Sequence, residues 1–513
     1  MPTRRVTVIG AGIGGLVAAI DLARQGFDVT VVERASEPGG KMRRVEIAGA
    51  RLDAGPTVFT MRWVFDEIFA DAGSSLAENV ELRPAGILAR HAWSDHERLD
   101  LHADIAQSAE AIGALAGPAE ARAYQAFCAR CRRVWDTLEQ PFIRSPRTNP
   151  MALARDVGGR GLADLWRAAP FATLWSVLGE HFRDPRLRQL FGRYATYCGS
   201  SPFLAPATLM VIAHVERDGV WLVEGGMHRI AEALARLGTA RGATIRYGEQ
   251  AAEILVTGGS AIGVKLASGE TLRSDAVVVN ADVAAVAGGL LGRDAVGAVP
   301  QVSRSARSLS AVTWAMVAET DGFPLLRHNV FFSGDYAAEF DDLFSRARLP
   351  AAPTAYVCAQ DRDAGADARR NEPERLLCLV NAPATGDLRG LAARELEQCE
   401  ERTFDLMRRC GLRIDRRPER TVVTTPADFE RLFPGTGGAL YGQASHGWMA
   451  SFRRPGARSR IPGLYLAGGS THPGAGVPMA ALSGRLAAAS LLADLASTSR
   501  SRRAAMSGGT STR

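Results

Sequence analysis

The chain has 513 residues, 46% of them hydrophobic, and a formal net charge of +6. This length allows two or three domains with large cores, while no run reaches the roughly 18 apolar residues of a transmembrane helix. The seven scattered cysteines argue against a disulfide framework or a metal site, and the basic charge favours a membrane surface over nucleic acid, for which no binding module is recognisable.

The N-terminal segment predicts a strand, a glycine turn, a helix and a second strand. Val6–Ile9 and Val29–Val32 have the β-branched composition of short buried strands, and an apolar helix between them ends near Gly26. Because the chain enters its first strand so early, we expect no cleaved signal peptide and a cytoplasmic location.

The glycine turn and the residue after the second strand predict a site for an adenine dinucleotide. Glycines at these spacings permit a tight turn, close approach of the backbone to a pyrophosphate and close packing of the helix on the strand. The helix N-terminus supplies free N–H groups to the phosphates, and Glu33 is placed to accept hydrogen bonds from a ribose. The predicted glycines are Gly10, Gly12, Gly14 and Gly15.

The following residues resemble the pattern of GDI-like flavoproteins, the superfamily of amine oxidases and desaturases, which implies FAD rather than NAD. The segment from Arg34 leads to a Gly39-Gly40-Lys41 turn, and Asp53-Ala54-Gly55-Pro56-Thr57 follows. Lys41 is one of only two lysines, so we expect it to contact a phosphate or the flavin. The resemblance implies cofactor contacts for Arg34, Gly39, Gly40, Lys41, Gly55, Pro56 and Thr57.

The C-terminal end predicts the other half of the same site. A strand after Ile461 ends in Gly468-Gly469, and a second glycine loop through Gly476 leads into an alanine- and leucine-rich helix. The resemblance implies that Gly468, Gly469, Gly476, Val477, Pro478 and Met479 hold the ribityl chain and the flavin ring. It also implies a backbone contact from Ala251 to the adenine. A glycine-rich turn without a ligand is the alternative, which the fit of both chain ends to one cofactor disfavours.

The fold class that these motifs predict is α/β. A Rossmann-like FAD-binding domain of the GDI-like or amine oxidase type is expected to come from residues 1–75, 215–300 and 455–495. An inserted α+β substrate- and membrane-facing domain would comprise 76–214 and 301–454, and residues 496–513 would form a disordered tail. Within 162–196, aromatic residues alternate with arginines at helical spacing. This pattern suits either a helix in a membrane interface or an ordinary amphipathic helix.

Over nearly its whole length the chain resembles the bacterial-type carotenoid desaturases. The motifs that carry the resemblance, besides the N-terminal glycines and Asp53–Thr57, are Gly219–Met227, Val279–Asp282 and Thr471–Gly476. Within that family it is most similar to the 1-hydroxycarotenoid 3,4-desaturases, also called methoxyneurosporene dehydrogenases. The stretches that match them are Glu33–Arg43, Arg62–Gly73, Gly322–Asp341 and Gly438–Gly456.

This resemblance implies an FAD enzyme that introduces a C3–C4 double bond into acyclic 1-hydroxy or 1-methoxy carotenoids, by hydride transfer to flavin, in spheroidene- or spirilloxanthin-type biosynthesis. It implies peripheral association with the inner photosynthetic membrane and reoxidation of the flavin by a quinone or by oxygen. A weak base suffices to accept the proton that the substrate also loses, and His446, Gln443 and His472 are the candidates, among which the sequence does not choose.

Three rival hypotheses share this fold. A phytoene desaturase or carotene isomerase would differ only in substrate and product. A flavin amine oxidase would usually need an aromatic cage and often a cysteine that tethers the flavin, and no cysteine lies near the C-terminal motif. A GDI-like protein that binds prenyl lipids without flavin would not need the intact glycines at both chain ends.

Overall fold

The computed structural model describes residues 3–146, 149–167, 169–362, 372–388 and 390–507. The strands are β1 Arg5–Ile9, β2 Asp28–Glu33, β3 Arg44–Ile47, β4 Ala50–Asp53, β5 Phe59–Thr60, β6 Leu82–Pro84, β7 Ile87–Ala92, β8 Arg98–His102, β9 Val220–Val223, β10 Thr244–Tyr247, β11 Ala251–Thr257, β12 Ser260–Leu266, β13 Thr271–Arg273, β14 Ala276–Val279, β15 Ser310–Ala318, β16 Thr320–Asp321, β17 His328–Phe331, β18 Ala355–Ala359, β19 Glu374–Ala382, β20 Arg413–Ile414, β21 Thr421–Thr424 and β22 Leu464–Leu466.

The α-helices connect and cover these strands. They are α1 Ile13–Ala23, α2 Arg62–Asp71, α3 Leu76–Asn79, α4 Ile105–Ala116, α5 Pro118–Leu138, α6 Pro150–Arg167, α7 Leu174–His181, α8 Pro185–Gly192, α9 Val211–Asp218, α10 His228–Ala240, α11 Val283–Ala287, α12 Tyr336–Phe340, α13 Ala393–Arg409, α14 Pro426–Leu432, α15 Ala450–Arg453 and α16 Val477–Ser507. A short 3₁₀ turn, Arg193–Cys198, continues directly from α8.

A five-stranded parallel sheet in the order β10-β2-β1-β14-β22 forms the nucleotide-binding half. Its central strands are valine-rich and almost wholly buried, as expected for a parallel sheet covered on both faces. Helix α1 packs against α16 so closely that a β-carbon on Gly484 would lie 2.2 Å from the carbonyl oxygen of Gly14. The two ends of the chain are therefore joined in one core.

The predicted α/β fold class is confirmed. All five strands of the parallel sheet fall within the three chain segments that the sequence assigns to the FAD-binding domain. The boundaries of that domain stay a prediction. The last helix runs Val477–Ser507 and so enters the segment expected to be a disordered tail, because alanine and arginine in that segment favour helix. The remaining residues, 508–513, lie outside the described part of the chain.

A mixed seven-stranded sheet in the order β21-β15-β19-β18-β17-β7-β8 forms the second half. Strands β17 and β7 pair in parallel, and the other neighbours pair antiparallel. Helices α4, α5, α7 and α8 form a separate buried cluster beside it. The cavity described below lies where the two halves meet.

The prediction of one amphipathic helix over 162–196 is wrong. The chain there forms the end of α6, then α7 and α8, each begun by a capping residue: Thr173 accepts from the Ser176 N–H, and Asp184 accepts from the Arg186 N–H. Leu174, Leu178 and Phe182 are fully buried in the helical cluster, whereas Trp166 and Phe171 are 71% and 62% exposed. Among the described side chains of this segment, the exposed large aromatic ones are Trp166 and Phe171, both before α7.

Within the part of the chain that the structure describes, one stretch, Val477–Ser497 in α16, is long and apolar enough to cross a membrane by length and composition. Half of it is buried inside the protein, where Ala481, Ala487 and Leu491 share a core with α1. This burial is typical of a core helix in a folded domain.

Candidate active site

A cavity of about 1560 Å³ runs between the two halves of the molecule. That volume exceeds the roughly 300–1,000 Å³ of an ordinary small-molecule pocket, so the cavity can hold a dinucleotide together with a second long molecule. The wall includes the N-terminal glycine turn, residues 33–44, residues 54–58 with 60 and 61, and residues 468–470 and 473–480 near the C-terminus. Residues from opposite ends of the chain therefore share one site.

All but one of the predicted cofactor-binding residues line this cavity. They are Gly10, Gly12, Gly14, Glu33, Arg34, Gly39, Gly40, Lys41, Gly55, Pro56, Thr57, Ala251, Gly468, Gly469, Gly476, Val477, Pro478 and Met479. Gly15 does not line it, because it faces the first strand: a β-carbon there would lie 2.1 Å from the Gly10 carbonyl oxygen. Gly15 therefore allows α1 to approach β1 and acts on the site only through that packing.

The glycines at the start of α1 form a cradle without side chains. A β-carbon on Gly12 would lie 2.6 Å from Asn280 Nδ2, and one on Gly14 would lie 2.8 Å from the backbone nitrogen of Gly468. Gly40 faces the same place, since its β-carbon would lie 3.3 Å from the Gly12 α-carbon. This cradle at a helix N-terminus has the shape and the N–H donors that a pyrophosphate requires.

Glu33 is held rigidly at the end of β2. One carboxylate oxygen accepts the Ala11 N–H at 2.7 Å and the other accepts the Ala35 N–H at 2.9 Å. The side chain is buried but lines the cavity. Its free lone pairs can accept hydrogen bonds from ribose hydroxyls without any rearrangement of the loop.

Lys41 reaches across the cavity wall to the C-terminal half of the chain. Its Nζ donates to the Leu440 carbonyl at 2.8 Å, and burial lowers the pKa of its ammonium while Asp282 opposes that effect. Gly55 lies just behind it, where a β-carbon would be 2.0 Å from the Lys41 carbonyl oxygen. The two predicted motifs, Gly39–Lys41 and Asp53–Thr57, are therefore in direct backbone contact.

Arg454, which the sequence did not single out, organises the C-terminal loop. Its guanidinium donates to the carbonyls of Tyr441, Gly469 and Gln443 at 3.1, 3.0 and 2.7 Å. Burial lowers its pKa. Beyond this loop, residues 477–480 at the start of α16 line the cavity, and the first N–H groups of a helix have no partner within it.

None of the three candidate bases lines the cavity. His446 Nε2 accepts the Ser201 N–H at 3.0 Å, and burial lowers its pKa to about 4. His472 Nε2 donates to the carbonyls of Phe142 and Ser145, at 2.8 and 2.9 Å, and burial lowers its pKa as well. The backbone carbonyl of Gln443 accepts a hydrogen bond from Arg454. Among the described residues, no histidine lines the cavity wall.

The chain is similar over its full length to known proteins. Residues 13–492 match the family model described as flavin containing amine oxidoreductase. A hydroxyneurosporene desaturase from Rubrivivax gelatinosus is 59% identical over 100% of this chain and 97% of the relative. A second one, from Cereibacter sphaeroides, is 46% identical over 97% of this chain and 99% of the relative. This chain belongs to the carotenoid desaturase family of flavin-containing amine oxidoreductases.

The fold agrees with that membership. A crystal structure of an oxidoreductase from Methanosarcina mazei superposes with a TM-score of 0.56 at 16% identity, and the match covers 94% of this chain and 99% of the other. As a member of this family, the protein is an FAD-dependent oxidoreductase. The glycine cradle, the fixed Glu33 carboxylate and the α16 N-terminus fit an FAD molecule, and bound FAD supplies a two-electron acceptor.

This desaturase's cavity also contains polar residues that the sequence did not indicate: Arg193, Tyr197, Glu216 and Tyr356 line its wall. The predicted Thr57 lies on the same wall. Apolar side chains, among them Ile212, Val215, Val330, Leu377 and Leu379, make up much of the surrounding surface. The wall also includes Phe171 and Trp448, which are 62% and 45% exposed.

Proposed function

We propose that this protein introduces a C3–C4 double bond into acyclic carotenoids that already carry a hydroxyl or methoxy group at C1, in spheroidene- or spirilloxanthin-type pigment synthesis. The observation that carries the proposal is the single cavity that joins the glycine cradle to an apolar chamber. A polyene needs such a chamber because its surface offers almost no hydrogen-bonding groups. The hydroxyneurosporene desaturases from the two bacteria support the choice of substrate.

In this proposal the protein contributes binding, orientation and exclusion of water. The apolar wall would hold the polyene, and we infer that the reacting bond lies beside residues 54–57 and 477–480, which line the cavity. The proposed cofactor contacts are those of the glycine cradle, of Glu33 and of the C-terminal loop. Since no histidine of the described chain lines the cavity, we assign no side chain as base for the proton that the substrate loses.

We further propose that the substrate enters from a membrane to which the protein binds peripherally, on its cytoplasmic side. Trp166, Phe171 and Trp448 form an exposed aromatic patch: the rings of Trp166 and Phe171 lie 5.9 Å apart, and those of Phe171 and Trp448 lie 5.3 Å apart. Two of these residues also line the cavity. Exposed aromatic residues at a cavity mouth suit a lipid interface. A membrane quinone or oxygen would then reoxidise the flavin.

Product analysis tests the activity. The purified protein, loaded with FAD in liposomes, is given 1-hydroxyneurosporene and, in parallel, phytoene. We expect a red shift that corresponds to one added conjugated double bond with the hydroxylated substrate alone. Conversion of phytoene would instead assign the protein to the multi-step desaturases. If neither spectrum changes while the flavin stays bound and oxidised, the proposed function is wrong.

A further inference from the structure

Arg193 is a buried arginine whose hydrogen-bonding capacity is largely unused. It begins the 3₁₀ turn after α8, lines the cavity and is only 7% exposed. Among the described residues its side chain makes one hydrogen bond, from Nη2 to the Tyr197 hydroxyl at 3.3 Å, while the buried Nε has no partner. A guanidinium carries five N–H donors, and burial of donors without acceptors is unfavourable. This arrangement calls for an acceptor in the cavity.

The nearest carboxylate does not supply that acceptor. Glu216 accepts hydrogen bonds from Tyr197 at 2.7 Å and from Tyr194, one on each oxygen. No carboxylate of the described residues lies within 4.0 Å of the Arg193 guanidinium, which instead sits 5.1 Å from the centre of the Tyr197 ring. Burial lowers the pKa of Arg193, but Glu216 and the two tyrosines raise it more strongly, so the group stays charged. Tyr197 therefore separates the two charges and leaves the arginine donors available.

A second polar residue on the same cavity, Tyr356, contacts one of the expected flavin-binding residues. The Tyr356 hydroxyl is 2.7 Å from Thr57 Oγ1 and 2.7 Å from His328 Nδ1. Thr57 belongs to the segment that we assign to the cofactor, and both Thr57 and Tyr356 line the cavity. Burial raises the pKa of Tyr356, and Tyr197 is among the nearby groups that contribute. Arg193, Tyr356 and Thr57 therefore lie on the wall of one cavity.

We propose that Arg193 donates a hydrogen bond to the oxygen on C1 of the substrate and so selects oxygenated carotenoids over plain hydrocarbons. This inference rests on the proposed function. C1 and C3 are separated by a single carbon, so the group that binds the oxygen must lie beside the reacting bond. A hydrocarbon end group leaves the guanidinium donors unpaired, and a site built to bind oxygen rejects such an analogue strongly.

The chemistry of arginine also fits the 1-methoxy carotenoids. A guanidinium only donates hydrogen bonds, and both a hydroxyl and a methoxy oxygen accept them. If Glu216 bound the substrate instead, it would need a hydroxyl proton and would reject the methoxy compound. We therefore expect the protein to accept 1-methoxy and 1-hydroxy substrates and to discriminate against neurosporene, which lacks oxygen at C1.

The test compares the full-length flavin-loaded protein with its Arg193→Met variant. Activity is measured as kcat/KM for 1-hydroxyneurosporene, 1-methoxyneurosporene and neurosporene in liposomes. Binding is measured by quenching of tryptophan fluorescence with the flavin kept reduced by dithionite, so that no turnover occurs. We expect a loss of at least tenfold in affinity and in kcat/KM for the two oxygenated compounds, and no loss for neurosporene. Arg188→Met is the control, since Arg188 is a partly buried arginine of α8 that donates to the Phe182 carbonyl, away from the cavity wall.

A second variant guards against a folding defect. Tyr197→Phe removes the hydroxyl that holds Arg193 but keeps the ring beneath it, and we expect a three- to tenfold loss with the same substrate pattern. Unchanged preference for the oxygenated polyenes in either folded variant overturns the inference. The unmodified protein could convert none of the three compounds and still bind the oxygenated pair more tightly than the Arg193→Met variant does. In that case the proposed activity fails while the binding role of Arg193 stands.

Discussion

Gly15 lies so close to Gly10 that a β-carbon on it would be 2.1 Å from the Gly10 carbonyl oxygen. No side chain avoids that contact, because the atom it meets is backbone. Gly15 is inside α1, where alanine would favour the helix by about 1 kcal/mol over glycine. The helix propensity therefore favours alanine at this position, whereas the contact with Gly10 requires glycine. Steric overlap within a buried core typically costs about 1–3 kcal/mol and shifts the backbone.

We therefore expect Gly15→Ala to push α1 away from β1 and disturb the cradle at the helix N-terminus. The purified variant should lack the flavin absorbance of the unmodified protein and should melt at a lower temperature. Gly86→Ala is the matched control, since no atom lies within 4 Å of its β-carbon position. A Gly15→Ala protein that keeps its flavin and its melting temperature would show that this contact relaxes without cost.

Glu33 is predicted to anchor the adenosine end of FAD. The Glu33 carboxylate accepts hydrogen bonds from the backbone N–H groups of Ala11 and Ala35. In Glu33→Gln one of these N–H groups would face an amide NH₂ instead of an oxygen. The same change weakens the hydrogen bonds to the ribose, because a charged acceptor binds more strongly than a neutral one. We expect the dissociation constant for FAD to rise at least tenfold, which corresponds to about 1.4 kcal/mol. Titration of flavin-free protein with FAD measures it.

The control for that titration is Glu46→Gln, which changes an exposed carboxylate on β3. Its dissociation constant should match that of the unmodified protein. Equal FAD affinity in Glu33→Gln and Glu46→Gln would remove Glu33 from the proposed cofactor contacts.

The cofactor end of the site could be predicted from sequence because its signals are local. The glycine spacing between β1 and α1 fixes a backbone path within a few residues. Lys41 was noticeable because only two of the 61 basic residues are lysines. Arg193 gave no such signal, because arginines occur throughout the chain. Glu216 and Tyr356, which line the same cavity, come from α9 and β18, and only tertiary packing brings them to one cavity with Arg193.

The helical segment 162–196 shows a different limit. Its aromatic and apolar spacing fits one long amphipathic helix, but a periodicity does not reveal where capping residues interrupt it. Thr173 and Asp184 begin new helices, and the turns between them redirect the apolar faces into the core. The exposed aromatic residues that remain are those before α7, which is why only Trp166 and Phe171 of that segment contribute to the proposed membrane patch.

We expect the exposed aromatic patch to contribute to membrane binding. Phe171→Ser combined with Trp448→Ser removes two large apolar groups whose burial in lipid is each worth about 1.5–3 kcal/mol when complete. Because both side chains are partly covered by the protein, we expect a loss of about tenfold in the partition coefficient onto anionic liposomes, measured by co-sedimentation. Leu388→Ser is the control, because Leu388 is 56% exposed and does not belong to the patch. Equal partitioning of the double variant and the control would exclude the patch as the docking surface.

A buried carboxyl group should make stability depend on pH. Burial raises the pKa of Glu339 to about 7 from an ordinary value of 4.5, although hydrogen bonds from Thr354 and Ser333 lower it in part. Between these two pH values the folded protein keeps a proton that the unfolded chain has released. The contribution of Glu339 to the free energy of unfolding is therefore fully present below about pH 4.5 and decreases as the pH rises toward 7, by about 3 kcal/mol at most.

Glu339→Gln should remove that dependence, because the amide resembles the protonated carboxyl and does not titrate. We expect the variant to be more stable than the unmodified protein at pH 8 and to differ from it less at pH 5, measured as urea midpoints. Burial lowers the pKa of His91 and of His328 to about 3, so both histidines destabilise the protein as the pH falls below about 6.5. The unmodified protein and Glu339→Gln both contain these histidines. The effect of the histidines therefore cancels when the urea midpoint of one protein is subtracted from that of the other at each pH. A difference that stays constant from pH 5 to pH 8 would mean that Glu339 titrates at its ordinary pKa in the folded protein.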